Sequence, residues 1–398
     1  MTTLPVSLRS HALWRWFDLV ALAFAVLLVV IAAGAAWTAY SQKLPVDFLS
    51  YWSAGTLTLG GDPARAYDQD AHRAVETSVA PLAGLLPFPY PPPFLLLVTP
   101  FALASFWVAF PLWLLVSGAF YAFAARRLAA IRYALAQGPA FSVALGGQNG
   151  FVTSGLFILG TSLLDKRAFL GGAVLGLLVI KPQLALMLPV AMLAARQWTA
   201  IAGGVASASL ALLAALLAFG PGTYAAFFAA LPAQAAFLGS GQLDWADLGS
   251  LYAFGRFAGA PHALAMSVHV IVALAAALLV WRAWAQGLEE RVPILAAATL
   301  LASPYLFTYD GLLLLVPIAF LVRERRSAWG VAAIWLLGLL PMARGFAGYP
   351  GPNSLPIAAL VALAVLHQAQ QKQQRGRHEH RPDNVERQPG EEISAERA

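Results

Sequence analysis

The chain has 398 residues, 60% of them hydrophobic and only 11% charged, with a mean hydropathy of +0.69. A soluble domain carries about 25% charged residues, so this composition excludes a water-soluble globule and points to a polytopic, all-α membrane protein. The net charge of +6 gives no case for nucleic-acid binding: the tail after His367 holds six basic and six acidic side chains, and the excess sits in the apolar part of the chain. Cysteine is absent, which removes disulfides and thiolate metal sites.

In chain order, the first apolar run, "DLVALAFAVLLVVIAAGAAW" (18–37), is long enough to span and precedes no small-residue cleavage site, so it reads as a first transmembrane helix and not a signal peptide. Further apolar runs lie near 93–124, 131–146, 149–164, 168–181, 183–195, 199–219, 262–286, 292–305, 311–322, 327–343 and 354–368, for about ten to thirteen spans. The 93–124 run is either one span or a helical hairpin. Excess Lys and Arg mark cytoplasmic loops. With the N-terminus inside, Lys166, Arg167, Arg196, Arg282, Arg291 and the "RERR" at 323–326 all fall inside, giving an N-in, C-in chain. Two outer loops follow, about 41–92 and 220–261. In the first, Gly61-Asp62-Pro63 reads as a turn into a short surface helix. Residues 1–369 read as one membrane domain. Residues 370–398, rich in Gln, Arg and Glu, read as a disordered cytoplasmic tail.

On this layout, polar groups gather at the outer helix ends: Asp47 with Tyr51 in "LPVDFLSYWSAG", Tyr90 in "FPYPPPF", Gln148 and Asn149 in "GGQNG", Lys181 and Gln183 in "VIKPQ", Tyr309 and Asp310 in "SPYLFTYDG", and Arg344 at the head of "RGFAGYPGPN". An ionisable residue at membrane depth is costly and faces a cavity, a partner or a pathway. Lys181 lies 14 or 15 residues from the nearest inner-side basic residues, roughly 20 Å of helical rise. At that depth it reads as a partner for a lipid-linked phosphate, or as a lysine snorkelling from a helix end. Asp47 reads either as the N-cap of the helix that follows or as a general base on an acceptor hydroxyl. Asp310 reads as a second carboxylate or as a cap for "GLLLL". Arg344 reads as a second phosphate contact or a headgroup anchor. Neither a P-loop nor an HExxH motif occurs, and the scattered histidines support no metal site. No cofactor is expected.

Taken in order, "GDPARAYD", "YPPPFLLLVTPFAL", "GGQNG", "GLLVIKPQLALMLPVAML" followed by "RQW", and "LASPYLFTYD" make the chain resemble glycosyltransferase family 87 over roughly 45–325. This resemblance implies a GT-C fold and a hexosyltransferase. Its donor would be a polyprenyl-phosphate-linked sugar (mannose, another hexose or a pentose), and its acceptor a hydroxyl of a lipid or glycan. It also implies a catalytic aspartate in the first outer loop, which maps onto Asp47, and a donor-phosphate contact at Lys181. Where relatives place a His or other polar group, this chain has Tyr309 and Asp310. The alternative expectation is a carrier or flippase for a lipid-linked solute. Broken helices around Pro182 would suit that, but no internal repeat supports it.

Overall fold

The computed structural model describes residues 6–128, 131–240, 243–348 and 351–379. Among these the chain is all α, with one isolated bridge, Leu248 to Phe307, and no strand. The first half comprises α1 (Val6–Gln42), α2 (Phe48–Leu59), α3 (Gln69–Val79), α4 (Pro93–Val98), α5 (Phe106–Ala125), α6 (Ile131–Leu135), α7 (Gly138–Gly146), α8 (Gly150–Leu163) and α9 (Ala168–Gly176). The second comprises α10 (Met187–Ala194), α11 (Trp198–Gly239), α12 (Leu251–Phe257), α13 (His262–Ala285), α14 (Arg291–Ala302), α15 (Leu315–Arg323), α16 (Ala328–Ala347) and α17 (Leu355–Glu379). The remaining 19 residues of the tail expected to be disordered, 380–398, lie outside the described residues.

Four helical stretches are long and apolar enough to cross a bilayer: Trp14–Gln42, Phe106–Leu128, Trp198–Ala236 and His262–Ala285. Seven shorter apolar helices accompany them among the described residues. The long helices leave large apolar side chains uncovered: Val30, Leu217 and Leu274 are 63%, 78% and 66% exposed. Such continuous apolar surface is stable against lipid and not against water.

The core is built on α14, on α15 and on the 3₁₀ turn that leads into α15; the side chains from Ile294 to Leu301 and from Leu312 to Leu321 are almost wholly buried. Helices α9 and α11 approach closely through glycine. A Cβ on Gly172 would lie 1.8 Å from the Ala200 carbonyl oxygen, and one on Gly203 would lie 2.0 Å from that of Phe169. Small residues at a helix crossing let backbones touch where lipid offers no hydrophobic drive. This contact fixes α9, and hence the 3₁₀ turns on either side of Lys181 that continue it. At the other end of the bundle, Asp18 ties α1 to α6, through Arg132 Nε at 3.0 Å and the Tyr133 hydroxyl at 2.5 Å.

Two stretches differ from the sequence expectation. The 93–124 run is neither one continuous helix nor left intact. It breaks at Ala104, which is extended (φ −104°, ψ 160°), so a short helical segment over 93–103 precedes the 20-residue α5. The 220–261 segment is largely helical and not a loop. Gly220 takes φ 76° and kinks α11, which then runs on to Gly239, and α12 follows. Pro221 is tolerated there because a helix restarting after a break has an unpaired N–H at its first position anyway.

Candidate active site

The turn between α1 and α2 delivers Asp47. Lys43 adopts φ 51° and turns the chain back, and Pro45 offers no donor. Asp47 has helical torsions (φ −59°, ψ −28°), and its side chain makes no cap bond to α2. An N-cap aspartate needs extended torsions to reach the free N–H groups ahead of it. Asp68 illustrates this: with ψ 117° its carboxylate accepts from the Asp70 and Ala71 amides, capping the short helix that the Gly61-Asp62-Pro63 turn introduces. Asp47 therefore starts its helix without capping it, and its half-buried carboxylate points elsewhere.

It points at the "GGQNG" turn. A Cβ on Gly146 would sit 2.8 Å from Asp47 Oδ2, so only glycine leaves the carboxylate its place. Gly147, at φ 70°, closes α7 in the left-handed conformation, and its carbonyl accepts from Trp113 Nε1 at 2.8 Å. The Gln148 side chain faces the Asp47 carboxylate and draws its pKa down. Its Oε1 accepts from the Tyr51 hydroxyl at 2.5 Å, which leaves its NH₂ to face the carboxylate.

From Tyr51 the bonds continue inward. Tyr51 and Tyr90 share a hydroxyl–hydroxyl bond of 2.9 Å, and the Tyr309 phenol lies beside Tyr90. A phenol has one proton. Tyr51 gives its proton to Gln148, so Tyr90 donates to Tyr51. The result is a directed chain, Tyr90 to Tyr51 to Gln148, with Tyr309 beside its inner end and Asp47 beside its outer end. At its inner end Lys181 Nζ lies 4.4 Å from the centre of the Tyr309 ring and 2.5 Å from Asp310 Oδ1. Lys181 and Asp310 are sealed from solvent, and the other Asp310 oxygen accepts from the Phe307 amide at 3.0 Å.

Electrostatics distinguish the open end of this chain. Burial pushes the Asp47 carboxyl above the usual aspartate range, the Gln148 bond pulls it partway back, and the Asp247 charge adds to the rise. Burial also pushes the Tyr90 phenol up to about 12, so it stays a neutral donor. Arg344 reaches the same neighbourhood: it pairs with Asp247 Oδ1 at 2.7 Å and with Asp244. The segment that carries those aspartates is pinned to the 303–310 loop, where the Gly249 amide donates to the Leu306 carbonyl at 2.6 Å.

Of the ten residues singled out in the sequence, seven (Asp47, Tyr51, Tyr90, Gln148, Lys181, Tyr309 and Asp310) thus lie in one continuous cluster, and Arg344 pairs with Asp247, whose charge acts on Asp47. Asn149 is buried beside them, and its side-chain amide atoms find no partner among the described residues. Gln183, half-buried on the turn after Pro182, makes none of these bonds. Sequence reasoning missed Gly146 as the floor under Asp47. It also missed Asn353, whose amide donates to Thr308 Oγ1 at 2.7 Å and steadies the 303–310 loop. The polar end of "GYPGPN" was the available signal for Asn353.

These features define a helical membrane protein that gathers carboxylates, cations and phenols at one end of its bundle. The chain belongs to glycosyltransferase family 87, whose family model matches residues 88–304, and it is a membrane glycosyltransferase. The matched stretch includes Tyr90, Gln148, Asn149, Lys181 and Gln183, while Asp47, Tyr51, Tyr309, Asp310 and Arg344 lie outside it. Comparison with the curated proteins and with the solved structures gave no match.

Proposed function

We propose that the protein transfers a sugar from a polyprenyl-phosphate-linked donor to a hydroxyl of a lipid or glycan acceptor, with inversion, at the outer face of a bacterial inner membrane. Mannose or another hexose is the first donor to try, then a pentose. Asp47 is the general base. It takes the acceptor's proton as the acceptor oxygen bonds to the anomeric carbon, and the bond from that carbon to the phosphate oxygen breaks on the opposite side. Polyprenyl phosphate leaves with the bonding pair.

The observation that carries this reading is a hydrogen-bonded Tyr90–Tyr51–Gln148 chain set beside a carboxylate with no capping duty. A base needs to be held by groups that leave a lone pair free for substrate. Gln148 holds Asp47 from one side, and the tyrosines hold Gln148. The raised pKa of Asp47 suits a base near neutral pH better than an ordinary aspartate would.

For the leaving phosphate, Arg344 is the accessible cation, since its side chain is 25% exposed. It would exchange Asp244 and Asp247 for the phosphate. Lys181, sealed beside Asp310, supports the donor end by holding the Tyr309 ring in place. Asp310 itself has both oxygens engaged, which suits holding Lys181 and the Phe307 turn better than moving a proton. The excess of Lys and Arg at the end of the bundle away from Asp47 supports an N-in, C-in orientation.

The test is to incubate membranes containing the protein with a panel of polyprenyl-phosphate sugars and follow each by mass spectrometry. Consumption of one donor with release of polyprenyl phosphate is the expected result. Consumption of nucleotide sugars alone would refute the donor class.

A further inference from the structure

A cavity of about 1010 Å³ opens at the opposite end of α14 from the candidate active site. Helix α14 begins at Arg291 and ends beside the 303–310 loop. Its twelve residues separate the cavity from that loop by roughly 18 Å of helical rise. Two turns and a helix start form the walls: the α10–α11 turn around Arg196, the α13–α14 turn around Gly287, and Arg291. Arg196 holds φ 54°, and Gly287 holds φ 62°. The left-handed conformation is uncommon for a residue with a Cβ, so the turn that presents Arg196 is tightly shaped.

The polar groups in the cavity carry an unbalanced positive charge. Arg291 gives two bonds from Nη2 to Asp165, at 2.6 and 2.7 Å. Arg196 is exposed and makes neither an ion pair nor a side-chain hydrogen bond among the described residues. Around it stand three indoles. Trp284 is buried and donates to the Arg291 carbonyl at 3.0 Å. Trp198 and Trp281 line the rim and are 62% and 46% exposed. They belong to α11 and α13, the helices whose outward faces are apolar and uncovered. The rim is therefore continuous with the lipid-facing surface, and exposed tryptophan beside arginine is the pattern of a membrane–water interface.

We infer that this cavity binds the phosphate-bearing headgroup of an anionic membrane lipid. Arg196 meets the phosphate, and Trp198 and Trp281 lie along the glycerol and upper acyl region. A basic pocket between helix ends at the membrane surface is suited to such headgroups. The site stands apart from Asp47 and does not depend on the transfer chemistry proposed for it.

The test uses full-length protein, delipidated in neutral detergent and titrated with phosphatidylglycerol, phosphatidylcholine or inorganic phosphate. Native mass spectrometry counts the bound lipid, and thermal unfolding reads its effect. Phosphatidylglycerol is expected to be retained and to raise the unfolding midpoint, with phosphatidylcholine and inorganic phosphate doing neither. Arg196→Gln should weaken phosphatidylglycerol retention by about fivefold, the value of one arginine near a charged surface. Arg196→Lys should keep most of the retention. Arg323→Gln, at another turn on the same end, should leave it unchanged. Equal retention by Arg196→Gln and the parent chain would overturn the proposal, as would an equal loss in Arg323→Gln. An equal effect of inorganic phosphate would replace the lipid with a soluble anion.

Discussion

Lys181 and Asp310 offer a quantitative test of the inner end of the hydrogen-bond chain. Their side chains are 1% and 0% exposed, with Nζ 2.5 Å from Oδ1. Removing one member of a buried pair strands the other charge and costs about 3–5 kcal/mol, whereas replacing both with apolar groups of similar volume is close to neutral. Lys181→Met should therefore destabilise the protein by about 4 kcal/mol, and Asp310→Leu by more. Asp310, left alone, keeps its bond from the Phe307 amide, while Lys181, left alone, keeps only the Tyr309 ring. A hydrogen bond to a charged group contributes about 1.5–3 kcal/mol, which sets the size of that asymmetry. The double variant should recover most of the loss. A double-mutant cycle on thermal or denaturant unfolding in detergent measures all three. Strictly additive single effects, or a Lys181→Met variant as stable as the parent, would refute a buried ion pair at this position.

Further outcomes follow from the open end of the site. Tyr51→Phe removes the donor that fixes Gln148 Oε1, so kcat should fall by about tenfold to a hundredfold with KM little changed, as expected when a base is held loosely. Gly146→Ala would place a Cβ 2.8 Å from Asp47 Oδ2, and kcat should drop by up to about a hundredfold with little loss of expression. The acid limb of the pH–rate profile should lie above the ordinary aspartate range, because the base must be ionised and burial raises its pKa. Replacing Gln148 with Leu should move that limb further up, since the Gln148 bond lowers the pKa. Asp247→Asn should move it down, since the Asp247 charge raises it.

Much of this candidate site was legible in the sequence because laying out the spans by the charge rule puts these helix ends on one side. Asp47, Tyr90, "GGQNG", Lys181 and "FTYDG" share one side once the spans are laid out, and a carboxylate at membrane depth demands a partner. The partners themselves were not legible. Lys181 and Asp310 are 129 residues apart, and tertiary packing, including that of α9 against α11 through Gly172 and Gly203, brings them together. The capping alternative for Asp47 could not be settled from residue type, because a cap depends on backbone torsions and Asp47 takes the helical ones. The 220–261 segment misled for a related reason. Gly220-Pro221 reads as a helix stop, yet "TYAAFFAALPAQAAFLG" has the Ala-rich composition that resumes a helix after the kink.

The central claim is that Asp47 is the base, and Asp47→Asn tests it most directly. The folded protein raises the pKa of this carboxyl, so ionising it costs stability as pH rises through that value, and the neutral amide should fold at least as well as the parent near pH 7. Sugar transfer should nevertheless fall by about a hundredfold to ten-thousandfold, the usual contribution of a general base. Near-parental transfer by an Asp47→Asn protein that inserts and unfolds like the parent would contradict the account.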